Sequence, residues 1–415
     1  MLPVCRPAAS TFFLSFCQVT LPMTALDPPV GGVLCAGFGT RMAPITDVVP
    51  KPLIPFLNTP ILAYSLDHLS NAGVTRVGMN LHHLADSIPP VANQLAAMMN
   101  LDPVYAREWE ILGTGGGIRG IWEALGQPDQ TLVIFNGDSV MNLDLLELLE
   151  QHRSSEAMVS MMVRGRGPEE PGGVFVDEET GHLGGLLEFR HPEAREDLRE
   201  MLFAGVHFIE PQLLEQIPQE NCGIVSDIYG PLLEQGEVIN TVLHDDFWAA
   251  LDNPALLYET SCRVLERPDL FDQVPMPEPL ADGLYVFNEE GIDDKTRVAG
   301  PILSGAHVKT EAGVDVGPRA VVDGVELAQG ASIRDAIVYG MGRIEGKWHR
   351  CMAVAGKVAN LPPLENSGQE KTDAEQRVVR DLRGDSRESD DAAPHDEDSD
   401  GDEAKSASEI SGGSF

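Results

Sequence analysis

Between residues 31 and 266 the chain alternates short, wholly apolar runs with stretches in which apolar residues return every three or four positions. The run Gly31-Gly-Val-Leu-Cys-Ala36 offers no polar face to solvent, so it predicts a strand buried on both sides; Thr131-Leu-Val-Ile-Phe135 predicts a second. Ile61, Leu62, Leu66 and Leu69 share one helical face, and Gly73 supplies a stop before a strand expected over residues 74–81. Leu143, Leu145, Leu146, Leu148 and Leu149 mark a helix with a broad apolar face. Strands and helices alternating in this way predict βαβ units and a mostly parallel sheet, an α/β fold.

The helical period is lost over residues 283–357. Val316, Val322, Leu327, Ile333, Val338 and Ile344 recur at spacings of 6, 5, 6, 5 and 6, with Gly305, Gly313, Gly317, Gly324 and Gly330 between them. A repeat near six with small residues at its corners predicts a short parallel β-helix; a glycine-rich meander is the other arrangement. Residues 365–415 carry 16 acidic and 6 basic side chains and almost no large apolar ones. Such a segment cannot bury enough surface to offset its ordering entropy, which predicts a disordered acidic tail. The expected divisions are a disordered or extended start over 1–28, an α/β domain over 29–270, a β-helix over 283–360 and the tail over 365–415.

Charge narrows the partners. Among 415 residues, 29 Lys and Arg face 65 Asp and Glu, a net charge of −36, and removing the tail's −10 still leaves −26. A surface of that sign repels a phosphate backbone, so nucleic acid is excluded as a partner. The cysteines, at 5, 17, 35, 222, 262 and 351, show neither CxxC pairs nor metal spacing, which fits a reduced, cytoplasmic protein. No stretch reaches the ~20 apolar residues that cross a bilayer, so no membrane partner is expected. Arg6 precedes an apolar run over residues 11–21 that could serve as a weak signal segment; without an A-x-A site, an extended start with Met23 as first residue is the other reading.

The chemistry concentrates after the first strand, in Gly37-Phe-Gly-Thr-Arg41, Pro44 and then Pro50-Lys-Pro52. Glycines let backbone N–H groups approach an anion, and Arg41 and Lys51 add charge, so the loop suits a polyphosphate. Only seven of the cations are lysines, which makes one between two prolines notable. Leu112-Gly-Thr-Gly-Gly-Gly-Ile118 forms a second glycine loop or a tightly packed helix start. The buried strand over 131–135 runs into Asn136-Gly-Asp138, which places a carboxylate at the carboxyl edge of a parallel sheet, where such folds bind ligands; Asp138 could instead cap the helix that follows. Asp252, before Asn253-Pro254, is either a second site carboxylate or a helix cap.

Taken together, Ala36-Gly-Phe-Gly-Thr-Arg-Met-Ala-Pro-Ile-Thr46 and Pro50-Lys-Pro-Leu53 resemble the fingerprint of the sugar-1-phosphate nucleotidylyltransferases, with Phe38 where many members have glycine. The resemblance covers about residues 31–266 and, more loosely, the β-helix region. It implies a Rossmann-like domain followed by a short left-handed β-helix. It also implies a reaction joining an NTP and a sugar 1-phosphate into an NDP-sugar and pyrophosphate. On this resemblance Arg41 and Lys51 are catalytic, and Leu34, Ala36, Gly37, Gly39, Thr40, Gly115 and Gly116 hold the nucleotide. Asp138 and Asp252 hold Mg²⁺, the latter in Phe247-Trp-Ala-Ala-Leu-Asp252, where a following Gly-Thr pair is replaced by Asn253. Gly173 and Glu188 lie at the sugar; Glu188 is followed by Phe189 and Arg190 in place of Lys and Pro, so either Arg190 or Lys51 meets the sugar phosphate. The resemblance leans to mannose 1-phosphate with GTP, with a uridylyltransferase acting on N-acetylmuramate 1-phosphate as the alternative. A catalytically silent nucleotide-sugar binder is a further alternative, as is acyl transfer by the β-helix through His307, for which no second catalytic partner is visible. The β-helix could also join copies of the chain. His82 and His83, at a strand end, are expected to point to opposite faces and to share no metal.

Overall fold

The computed structural model describes residues 28–362 apart from 168, 169, 171, 275 and 282. The expectations for residues 1–27 and for the acidic tail fall outside them. A ten-stranded sheet organises the first part of the chain. At its centre lies Val30–Leu34, parallel to both Arg76–Leu81 and Leu132–Asn136, with Asp102–Arg107 parallel at the edge. Both faces of the central strand are covered. Cβ atoms built on Gly31 and Gly32 would lie 2.8 Å from Leu69 Cδ1 and 3.0 Å from Ile121 Cγ2, so these glycines let the helices Ile61–Asn71 and Gly113–Ala124 close on opposite faces.

The sheet is mixed, not mostly parallel. Beyond Leu132–Asn136 the long strand Arg199–Ile209 runs antiparallel to it and to Val159–Gly165, and Val174–Asp177 and His182–Leu186 form a hairpin against the sheet. The turns at 178–181 and 187–188 reverse the chain on either side of His182–Leu186, whereas parallel neighbours need a crossover. The parallel half is the one that carries the glycine loops.

The second part is a stack of parallel strands in rows. Leu284–Val286, Ile302–Ser304, Ala320–Leu327, Ala336–Ile344 and Cys351–Val354 follow one another in one row, and Arg297–Val298, Asp315–Val316, Ser332–Arg334 and Lys347–His349 in another. The six residues singled out by the repeat near six are all buried. Along the first row, side chains alternate with period two between two cores. Val286, Ile302, Val322, Val338 and Ala353 fill the inside of the stack. Tyr285, Leu303, Val321, Ile337 and Met352 pack outward on Ile54, Phe56, Tyr64, Leu257 and Phe271 of the α/β part. Polar links reinforce this seam: the Asn58 N–H donates to Tyr339 Oη at 3.0 Å, and Lys357 pairs with Asp47 at 3.3 Å. Among the described residues no helix is long and apolar enough to cross a membrane.

The shared core predicts cooperative unfolding. Truncating Ile337, which is fully buried at the seam, to Ala should cost about 2–5 kcal/mol. In calorimetry both parts of Ile337→Ala should still melt in one transition at lower temperature; two separated transitions would mean that the seam does not couple them.

Candidate functional site

The loop after the first strand is wound tightly on itself. Gly39 has φ 61°, and a Cβ there would stand 2.9 Å from Thr46 Cγ2 and 3.2 Å from Lys51 Cβ, so only glycine fits without displacing both. The Thr46 hydroxyl donates to the Gly39 carbonyl at 3.0 Å, and Met42 and Ile45 are buried beneath the loop. Gly37 faces open space, since a Cβ on it would meet nothing within 4 Å. The loop thereby presents Gly37 and Thr40 outward and carries Lys51 inward.

The two carboxylates arrive from different parts of the sequence by one piece of strand pairing. After Leu132–Asn136, the Gly137 N–H donates to the Leu34 carbonyl at 3.2 Å, and Ser139–Met141 then pairs antiparallel with Trp248–Ala250. The Leu251 N–H donates to the Asp138 carbonyl at 2.9 Å, which sets Asp252 beside Asp138. Neither carboxylate is spent on capping. Asp144 caps the helix Leu145–Ser155, and the Asn253 side chain accepts from the Leu256 N–H at 3.0 Å to cap Pro254–Glu266.

Their shared partner is Lys51. Its side chain is only 10% exposed, and Nζ donates to Asp138 Oδ2 and Asp252 Oδ1, at 3.0 Å each. An ammonium this buried is costly unless its charge is matched, and two carboxylates this close would repel without a cation between them. Arg41 completes the chain, donating in bidentate fashion to both oxygens of Asp252 at 2.8 and 2.9 Å. The structure therefore brings Arg41, Lys51, Asp138 and Asp252 into one network. Hard oxygen donors from two carboxylates converging on one point suit a divalent cation whose remaining shell comes from phosphate or water. Among the described residues no cluster of three or more ligating side chains accompanies them.

Residues that the sequence did not single out hold this ribbon in place. His68 Nε2 donates to the Met141 carbonyl at 2.9 Å, and its ring stacks on Phe135. Burial lowers the His68 pKa to about 4, so the ring is neutral at pH 7 and the carbonyl contact fixes its tautomer. The Trp248 indole donates to the Ala204 carbonyl at 2.8 Å, with the Arg164 guanidinium 4.1 Å over its ring. A second device ties the two glycine loops together. Buried Asn80 accepts from the Cys35 N–H at 2.7 Å and donates to Glu108 at 2.7 Å, and Glu108 in turn accepts from the Leu112 N–H at 3.0 Å.

Gly115 and Gly116 sit in the first turn of the helix Gly113–Ala124, beside the 220–224 segment. A Cβ would lie 2.7 Å from Cys222 Sγ at Gly115 and 2.5 Å from the Glu220 carbonyl at Gly116, so both glycines have a packing reason to be glycine. Gly117 faces the Asn80–Glu108 bridge, since a Cβ there would meet Asn80 Nδ2 at 2.5 Å and Glu108 Oε1 at 3.2 Å. Of the residues expected at a sugar, Gly173 has φ 120° and its carbonyl accepts from the Leu187 N–H at 2.6 Å, which places exposed Glu188 near it, in the turn between His182–Leu186 and Phe189–Arg190. Arg190 lies over the Phe175 ring at 4.4 Å and donates to the Leu187 and Phe189 carbonyls. His82 and His83 do not diverge as expected. The strand stops at Leu81, so alternation no longer applies, and both imidazoles contact the half-exposed Phe38 ring, at 5.3 and 5.7 Å. His307 stands 3.5 Å from Asp323.

A family model described as nucleotidyl transferase matches residues 30–267. The UTP–glucose-1-phosphate uridylyltransferase of Synechocystis sp. is 27% identical over 328 residues, covering 75% of this chain and 83% of its own. A probable mannose-1-phosphate guanylyltransferase 2 of Arabidopsis thaliana is 25% identical, covering 78% and 90%. The mannose-1-phosphate guanylyltransferase of Mycobacterium tuberculosis is 28% identical, covering 74% and 81%.

The Asn80 bridge generates a prediction. Asn80→Ala leaves the Glu108 carboxylate and the Cys35 N–H without their buried partner, at a cost of about 1–3 kcal/mol each. Thermal denaturation should show a loss of that order, and nucleotide titration should show weaker binding; unchanged stability and affinity would remove Asn80 from the site's support.

Proposed function

Because the chain belongs to the nucleotidyl transferase family, we propose that it joins a nucleoside triphosphate and a sugar 1-phosphate into an NDP-sugar and pyrophosphate. The observation that carries this reading is the buried Lys51 ammonium shared by Asp138 and Asp252 next to an open glycine loop. An oxygen of the sugar phosphate attacks the α-phosphorus in line; the new P–O bond forms as the bond to the β-phosphate oxygen breaks, and pyrophosphate carries away the electron pair. The attacking oxygen is already ionised at neutral pH, so no covalent enzyme intermediate and no strong general base are needed. Catalysis is alignment and charge neutralisation.

The backbone of Leu34, Ala36, Gly37, Gly39 and Thr40 receives the triphosphate. Arg41, exposed and hinged on Asp252, turns to the leaving phosphates, and Lys51 meets the attacking phosphate. Asp138 and Asp252 would hold Mg²⁺, which neutralises charge on the α-phosphate when bound. Gly115 and Gly116 keep the second loop close-packed at the base side, and Gly173 and Glu188 face the sugar. With Arg190 occupied by carbonyls and the Phe175 ring, Lys51 takes the phosphate contact alone. In this reading residues 29–270 are the nucleotidyltransferase domain, 283–360 are a short left-handed β-helix that props it, and the setting is cytoplasmic. Mannose 1-phosphate with GTP is the favoured pair, supported by the two guanylyltransferase relatives at 25% and 28% identity. The uridylyltransferase relative keeps UTP as the alternative. A silent binder is disfavoured because it has no need to keep all four charged groups in one network.

A pyrophosphate-release assay over a panel of NTPs and sugar 1-phosphates tests the reading: GTP with mannose 1-phosphate should be fastest, and no release with any pair would overturn it. Asp138→Asn keeps the size of the side chain but removes the charge, so kcat at saturating substrates should fall on the order of a hundredfold or more. Glu188→Gln should instead raise KM for the sugar phosphate. Normal turnover by Asp138→Asn would dismiss the metal assignment.

A further inference from the structure

The last coils of the strand stack are basic in an otherwise acidic molecule. Residues 332–362 carry five Lys or Arg against two Asp or Glu, whereas residues 1–364 together carry a net −26. Both of those acids lie beside arginines outside the patch argued here: Asp335 is bound by Arg319 and Tyr258, and exposed Glu345 lies 4.0 Å from Arg343. Arg343 itself is held by Glu311 and Glu326. Arg334, Lys347 and Arg350 are exposed, and among the described residues no carboxylate pairs with them.

Strand register gathers these cations. Ser332 lies opposite Lys347 and Arg334 opposite His349, in parallel neighbours about 4.8 Å apart. The inward-facing Ile333 and Trp348 between them leave the basic side chains on the outer surface. The Arg350 N–H donates to the Arg334 carbonyl at 3.1 Å, which closes the cluster. The chain leaves this same spot: the Leu361 N–H donates to the Arg350 carbonyl at 2.9 Å, one residue before the last described position. Residues 388–403, which follow, hold nine Asp or Glu and no Lys or Arg.

We propose that the acidic segment 388–403 docks, within the same chain, on the basic patch of Arg334, Lys347, His349 and Arg350. A coil of 26 residues, the separation between 362 and 388, would span roughly 28 Å, several strand spacings, so the chain length suffices for the reach. Tethering at such a length gives an effective concentration in the millimolar range. Individual surface pairs contribute little, about 0–1 kcal/mol each, but several in one patch add up and must weaken as salt rises.

Zero-length carbodiimide coupling of the full chain, read by peptide mass spectrometry, tests this. At low salt Lys347 should couple to residues 388–403 within the monomer, at least fivefold more than the exposed Lys295 and Lys309 do. The yield should fall to the level of those two lysines at 1 M NaCl and in Arg334→Glu/Arg350→Glu; the salt arm on the unaltered chain stands even if that variant folds poorly. Equal coupling at all three lysines would overturn the proposal. Coupling found only between two copies would overturn it as well, and would assign the patch to a second chain.

Discussion

An ammonium nearly sealed from water must be neutralised on the spot, and the geometry around Lys51 is organised by that requirement. Two carboxylates more than a hundred residues apart in sequence converge on one nitrogen at 3.0 Å each. Remove the cation and the carboxylates repel; remove either carboxylate and a buried charge is left half-matched. The site is thus held in a charged, compact state that a phosphate can exchange into, since phosphate oxygens offer both Lys51 and Arg41 a partner of the same sign as the one they leave.

Everything near the network serves to place those four groups. The ribbon of Ser139–Met141 with Trp248–Ala250 sets the spacing of the carboxylates, while His68 and Trp248 pin its two strands to the helix and the sheet. On the other side, the loop bearing Lys51 rests on the core that the α/β part shares with the strand stack, through Ile45, Ile54, Phe56 and Leu57. The stack therefore fixes the floor under the loop that bears Lys51, and the period-two alternation of its first row is what lets one strand serve two cores.

Much of this was legible in the residues. A wholly apolar run followed by glycines, and a lysine between prolines, mark in the sequence the tight loop that carries Lys51. The repeat near six found the buried positions of the stack, and doublets such as Val321-Val322 and Ile337-Val338 carried a signal of burial on both faces that the repeat alone did not use. The antiparallel half of the sheet was not legible, because hairpin strands such as Val174–Asp177 are too short to show a period. The pairing of Lys51 with both carboxylates could not be read either, since it arises from long-range register. The role of Asn80 was hidden for the same reason: a buried amide in an apolar strand reads as an exception until its partners, Cys35 and Glu108, are known. The divergence expected of His82 and His83 failed because both residues follow the end of the strand at Leu81, where alternation no longer applies.

The most direct test of the central claim is anomalous diffraction from crystals grown with Mn²⁺ and an NTP analogue that cannot be cleaved between its α- and β-phosphates. The account predicts one anomalous peak within coordination distance of both Asp138 and Asp252, with Lys51 and Arg41 moved from the carboxylates to phosphate oxygens. A metal that touches neither carboxylate, with Lys51 still bridging them beneath bound nucleotide, would contradict it.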